Sequence, residues 1–176
     1  DDEYFASLAQ YVSDGLNACG YIYCPGDAMA TNPQWRQPVR VWREYFNKWI
    51  ETPEKMALML ASIFFDLRPI HGDAGLFEPV QQEMLSKSRV NGIFIAHMVS
   101  NALSQRPPLG FFRNFVLIHD HEHDHTLDIK HRGIVPIVDV ARVYALAEGV
   151  APVNTRARLE AVKASGAMSQ EMADNL

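Results

Sequence analysis

Apolar positions along this chain step mostly by three and four, a spacing that predicts a protein built chiefly of helices. Phe5, Leu8, Val12 and Leu16 give one apolar face to a helix over 3–18, with Gly20 as its stop. The rhythm breaks at "YIYCPGDAMATNP", residues 21–33, where a short aromatic, strand-like piece runs into a Pro25-Gly26-Asp27 turn. Asn32 followed by Pro33 reads as an N-cap with a first-turn proline, ahead of an aromatic stripe of Trp42, Tyr45, Phe46, Trp49 and Ile50. Thr52-Pro53-Glu54 repeats that logic, with an acid at the positive helix end. The helix it opens, "KMALMLASIFFDL", is apolar on nearly all sides and is expected to be buried all round.

A break at Arg68-Pro69, with "HGD" at 71–73, reads as a boundary between two units. Two amphipathic helices follow, at about 76–89 and 92–104. "FFRNFVLI" and "HTLDIKH" are short and β-branched or aromatic, and predict a hairpin or a pair of extended arms. Ile134, Ile137, Val138, Ala141, Tyr144 and Ala145 then stripe a helix stopped by Gly149. Asn154 caps another that ends at Gly166, and Ser169 caps a last one cut short at Leu176.

Composition narrows the classes. An apolar share of 48% and a charged share of 21% are those of an ordinary globular chain. A net charge of −5 speaks against a nucleic-acid surface, which needs clustered Lys and Arg. No apolar run approaches the roughly 20 residues that span a bilayer, so no membrane partner is expected. "DDEYFASLAQ" has neither the basic start nor the apolar block of a signal peptide. Two cysteines, Cys19 and Cys24, are too few for a disulfide scaffold and fit a reducing cytoplasm. They are expected to pack as small hydrophobes.

Chemistry is concentrated in three places. Five of the seven histidines fall between His119 and His131, interleaved with Asp120, Glu122 and Asp124. In an extended strand His119, His121, His123 and His125 would line one face, a set able to hold Zn²⁺ or Ni²⁺ weakly. A dedicated zinc site takes ligands from separate elements with supporting hydrogen bonds, so a solvated loop is the better reading of this run. Asp66 and Arg68, at the end of an apolar helix, must be paired or face a cleft. Asp128 and Lys130 would share one face of a strand, with Arg132 following, as a phosphate-contacting edge or as ordinary polar-face residues. Arg142 on the next helix is a weaker candidate. The chain contains no Gly-rich phosphate loop, no G-x-S-x-G turn and no Asp-x-Asp pair.

Five segments carry a family resemblance that covers essentially the whole chain: "GYIYCPGDAMATNPQWRQPVRVW", "ASIFFDLRPIHGD", "RPPLGFFRNFVL", "TLDIKHRGIVPIVDVARVYAL" and "NTRARLEAV". They resemble a nucleotidyltransferase-like family of bacterial signalling proteins, which also carry CBS and often cyclic-nucleotide-binding domains upstream. That family is similar to the nucleotidyltransferase region of the PII-protein uridylyltransferase. The resemblance implies an α+β fold, predominantly α-helical in this chain. Residues 1–73 would be the C-terminal part of a nucleotidyltransferase domain. Residues 74–176 would be a helical substrate-binding bundle with a hairpin-like insertion, truncated at its C-terminus.

The implied activity is nucleotidyl transfer from a nucleoside triphosphate to an unknown acceptor, a protein or a small molecule, with Mg²⁺. The family's Gly-Ser turn and Asp-x-Asp pair, which hold that ion, are missing, so this chain is expected to be inactive by itself. A regulatory module that senses a nucleotide or docks a partner is the alternative. Asp66, Arg68, Asp128, Lys130 and Arg132 fall in family-like motifs. The resemblance makes them expected contacts to nucleotide or acceptor.

Overall fold

A computed structural model describes residues 2–104, 109, 115, 117 and 125–175. The backbone divides into two compact units, Asp1–Trp42 and Arg43–Leu176.

In the first unit, α1 (Asp2–Ala18) forms where the apolar spacing placed it and ends in Gly20 at φ +95°. Its apolar face is not covered: Phe5, Leu8, Val12 and Leu16 are all exposed. The piece 21–23 forms no strand, and its aromatic side chains are exposed. Tyr23 instead donates a short hydrogen bond to Asp14, which raises the pKa of its phenol. Polar contacts organise the turn that follows. Asp27 stands at φ +53° and its amide donates to the Cys24 carbonyl at 2.9 Å. The Asn32 side chain donates to the Asp27 carboxylate at 2.8 Å, and the Trp35 indole donates to the Asp27 carbonyl at 3.0 Å. Asn32 therefore caps only this turn, its Oδ1 accepting from the Gln34 amide at 2.8 Å. The helix expected at Pro33 begins instead at Val39, since the turn has already used the Asn32 side chain. Cys19 and Cys24 are free and exposed, not packed, because both lie on this uncovered turn region.

The helix α2 (Val39–Glu51) runs through the division between the units, and its later part opens the second one. There Phe46, Trp49 and Ile50 are buried. α3 (Lys55–Phe64) starts three residues after Thr52, with Glu54 at the cap position making no side-chain cap. Its Ala57, Leu58, Ala61 and Phe64 are buried, but Met56, Met59 and Ile63 are exposed. The helix is thus covered on one side only. Apolar composition cannot reveal which faces a neighbour reaches.

A 3-10 turn, Ala74–Leu76, is capped by Asp73, and leads to α4 (Glu78–Val90) and α5 (Gly92–Ser104). Asn91 joins three elements. Its amide donates to the Ile50 carbonyl at 3.0 Å, and its Oδ1 caps α5 by accepting from the Phe94 amide at 3.0 Å. The hairpin expected over 111–131 lies largely outside the described residues. One isolated antiparallel bridge, Leu109 to Phe115, falls inside them. Among the described residues there is no strand, and the observed class is mostly helical.

Residues 129–134 are helical rather than extended, as the start of a run that continues into α6 (Val135–Glu148). The Asp128 carboxylate accepts from the His131 amide at 2.9 Å, satisfying a donor that helix starts leave open. Residues Lys130–Ile134 form a wide π turn in which the Val135 amide bonds the Lys130 carbonyl. Pro136 explains the widening: it has no N–H for the Arg132 carbonyl, and its ring would crowd that carbonyl in a regular helix.

α6 packs against α4, α5 and α7 (Thr155–Ser165), and α8 (Gln170–Asn175) follows. Gly149 closes α6 at φ +68°, and a Cβ there would lie 3.3 Å from Arg89 Cδ. Asn154 caps α7 through the Ala157 amide at 3.2 Å, and Ser169 accepts from the Met172 amide at 3.2 Å, both as the spacing predicts. Asn154→Ala is expected to cost about 1 kcal/mol. A shift in the urea midpoint with an unchanged slope checks this. No described helix is long and apolar enough to cross a membrane.

Candidate functional site

Two of the charged clusters in the second unit contain expected site residues. The first centres on Asp66, on the turn after α3 where buried Phe65 anchors the backbone. Arg142 of α6 grips its carboxylate in a fork, Nε donating to Oδ1 at 3.1 Å and Nη2 to Oδ2 at 2.8 Å. Arg158 of α7 donates from Nη2 to Oδ1 at 2.6 Å. A short contact joins Arg142 Nη1 to Asp139, and Arg158 Nε donates to the Pro152 carbonyl at 2.9 Å. The side chains of Arg142 and Arg158 are 7% and 3% exposed, that of Asp66 31%. Nη1 of Arg158 is buried without a partner.

This cluster balances two cations against two anions. Burial pushes the Asp66 carboxyl up, but hydrogen bonds and charge from Arg142 and Arg158 outweigh it and hold its pKa below the ordinary carboxylate value. Burial opposes the charged form of Arg142 too. Asp66 and Asp139 more than offset that, so its pKa is raised.

The second cluster lies at the head of the α6 run. Asp128 accepts from the His131 amide and also meets the ring Nδ1 of His131 at 3.0 Å. The backbone bond from His131 is the largest influence holding the Asp128 pKa below its ordinary value. Lys130, His131 and Arg132 are exposed. From Lys130 to Arg142 is about 18 Å along a helix axis at 1.5 Å per residue. The two clusters therefore share one helical run but stand at different levels of it. Among the described residues no hydrogen bond or ion pair joins them.

The five expected site residues thus divide by what they do. Asp66 is engaged by two arginines and does not pair with Arg68, which is exposed on the same turn. Asp128 caps a helix. Arg68, Lys130 and Arg132 remain as exposed cations. Arg158 and Asp139 complete the cluster without being among the residues expected from sequence, where Arg142 is only a weaker candidate. The sequence offers one signal: Arg158 stands four residues before apolar Val162, on the same face of the helix that Asn154 caps. A buried arginine needs a carboxylate partner.

The Asp66 cluster does not fit Mg²⁺. Three N–H donors already occupy the carboxylate, and two guanidinium charges beside it repel a cation. Among the described residues no group of three or more His, Cys, Asp or Glu side chains could hold a metal ion. His119, His121 and His123 lie outside the described residues, while His125 stands at φ +58°.

Two of the grooves among the described residues open on this unit. One, of about 420 Å³, is apolar and lies between α5 and α6, lined by residues that include Val99, Leu103, Val140 and Tyr144. The other, of about 440 Å³, is lined by Ile50, Lys87 and Asn91 among others. Neither is lined by any of the five expected site residues.

The described residues are mostly helical, and Asp66, Arg142 and Arg158 meet beside α6. Residues 1–56 match the family model described as "Putative nucleotidyltransferase DUF294". Residues 92–176 match the one described as "Putative nucleotidyltransferase substrate binding domain". Together the two matches support the nucleotidyltransferase family for this chain. Comparison with curated proteins and with solved structures gave no match.

Proposed function

We propose that this chain serves a nucleotidyltransferase-like signalling protein in the cytoplasm. It would bring together a nucleoside triphosphate and an acceptor hydroxyl on a protein or small molecule. The observation that carries this reading is the order of the two family matches, a nucleotidyltransferase segment followed by its substrate-binding domain. Arg68, Lys130 and Arg132 are the contacts proposed for phosphate oxygens. Each is exposed, cationic and free of any ion pair among the described residues. Asp66 and Asp128 support those cations, being held by neighbours of their own.

The transfer step belongs to a longer protein in this reading. The sequence has no Asp-x-Asp pair to hold Mg²⁺, and the Asp66 cluster does not substitute for one. CBS or cyclic-nucleotide-binding domains elsewhere in that protein would supply the signal. Any Zn²⁺ or Ni²⁺ taken up by the His119–His125 run would be weak and incidental.

Calorimetric titration of the chain with ATP and with UTP is expected to show saturable binding. Arg68→Ala and Lys130→Ala should each weaken it about tenfold, the effect of losing one hydrogen bond to a charged group. Binding too weak to saturate at millimolar nucleotide would overturn the contact assignment. The longer protein should release pyrophosphate from the same nucleotide. Binding without turnover would instead make it a nucleotide-sensing or docking module.

A further inference from the structure

We propose that Arg142 and Arg158 are positioning residues that pin the turn bearing Arg68, so that α6 and α7 set where that cation is presented. The inference deepens the functional reading above and rests on its assignment of Arg68 as a phosphate contact.

The backbone around Arg68 needs an external anchor. The Leu67 amide still bonds the Phe64 carbonyl, at 3.3 Å. From Arg68 to Gly72, no backbone or side-chain group makes a hydrogen bond among the described residues. The next fixed point is Asp73, whose side chain accepts from the Gly75 amide at 2.8 Å. Arg68 therefore lies between two carboxylates that are held by hydrogen bonds, Asp66 and Asp73, and Asp66 is the nearer. Phe65 is buried and its amide bonds the Ala61 carbonyl at 3.0 Å, which holds the end of α3 but does not define a rotation about the turn. The forked contact from Arg142 does define one, because two parallel N–H donors fix both carboxylate oxygens. Arg158, approaching from a second helix, adds a third donor.

The composition of the cluster also fits positioning better than stability. A buried ion network is often no more stable than well-packed apolar residues of similar volume. This one leaves Arg158 Nη1 buried without a partner, a cost that an apolar replacement would avoid. What an ionic fork provides and an apolar contact lacks is a single orientation. The three partners also come from three separate segments that carry the family resemblance: "ASIFFDLRPIHGD", "TLDIKHRGIVPIVDVARVYAL" and "NTRARLEAV". The fold joins them through one carboxylate.

The test uses Arg158→Lys, which keeps the charge and loses the planar guanidinium that bonds Asp66 and the Pro152 carbonyl together, and Arg142→Lys, which loses the fork, in case the first variant does not fold. Backbone amide order parameters are measured by NMR, and ATP affinity by calorimetry, in wild type, Arg68→Ala, Arg158→Lys and the double variant. Positioning predicts that order parameters at 67–68 and 70–72 fall below about 0.6 while α6 and α7 stay near about 0.85. It also predicts that Arg158→Lys weakens ATP binding about tenfold, and that the double variant binds no worse than Arg68→Ala alone. Unchanged order at 67–72, or additive losses in the double variant, would overturn the proposal. If Arg68→Ala binds ATP like wild type, the phosphate-contact reading fails instead. The order parameters then still decide whether the arginines pin the turn.

Discussion

Replacing Asp66 with Ala is expected to destabilise the Arg43–Leu176 unit by about 3 kcal/mol, at the lower end of what removing one partner of a buried ion pair costs. The reason lies in what remains. Arg142 and Arg158 are almost wholly buried and converge on this one carboxylate. Without it Arg142 keeps only Asp139, and Arg158 keeps only a carbonyl. Two buried guanidinium charges are then left with one anion, Asp139, which meets Arg142 alone. The lower end applies because Asp66 itself is partly exposed, so water can replace some of the loss. Urea unfolding followed by circular dichroism measures the effect, and a change below about 1 kcal/mol would refute it.

The same cluster makes stability depend on pH, with a definite sign. The Asp66 pKa is lower in the folded chain than its ordinary value of 3.8. Its contribution is therefore fully present above about pH 5, well clear of that ordinary value, and is lost as pH falls through the lower folded value. Between pH 7 and pH 3 the wild type should lose stability that Asp66→Asn has already lost. The two curves should converge on acidification. Parallel curves would show that Asp66 is not the group responsible.

Phe94→Ala is expected to cost about 3–5 kcal/mol, the range for emptying a buried aromatic site. Phe94 has no solvent exposure and lies at the end of an aromatic chain. Its ring centre is 5.8 Å from that of Phe65, and Phe65 lies 5.5 Å from Phe46, which meets Trp49 edge-on at 5.4 Å. Removing it leaves a cavity beside the buried Phe65 ring. The control is Phe5→Ala on α1, where the side chain is 55% exposed and the expected change is within about 0.5 kcal/mol. If both variants unfold at the same urea concentration, the assignment of Phe94 to the core is wrong.

How much of this was readable beforehand depended on how local each feature is. Helix existence is local, because periodicity and caps act within a few residues. Asn154, Ser169, Gly149 and Gly166 stand where their residue types led one to expect them. Asn32 misled because its side chain was taken by Asp27 and Gln34 in a turn. The run 129–134 misled because β-branched and polar residues suit a strand, while the Asp128 cap favours a helix. Burial was the least readable property. Met56, Met59 and Ile63 are as apolar as their buried neighbours on α3, and only the placement of other elements separates them.

The candidate site followed the same division. Asp66, Arg68, Asp128, Lys130 and Arg132 could be picked out one by one, as charges beside apolar surface or within family-like motifs. Their partners could not, because Asp66 is 76 positions from Arg142 and 92 from Arg158. By itself the sequence determined most of the segments that become helices, where most of them stop, and which kinds of charge are available. The tertiary structure alone decided that one carboxylate would serve two arginines and that Arg68 would be left facing solvent. Backbone propensities act over one or two helical turns, whereas a buried charge finds its partner only when distant helices pack.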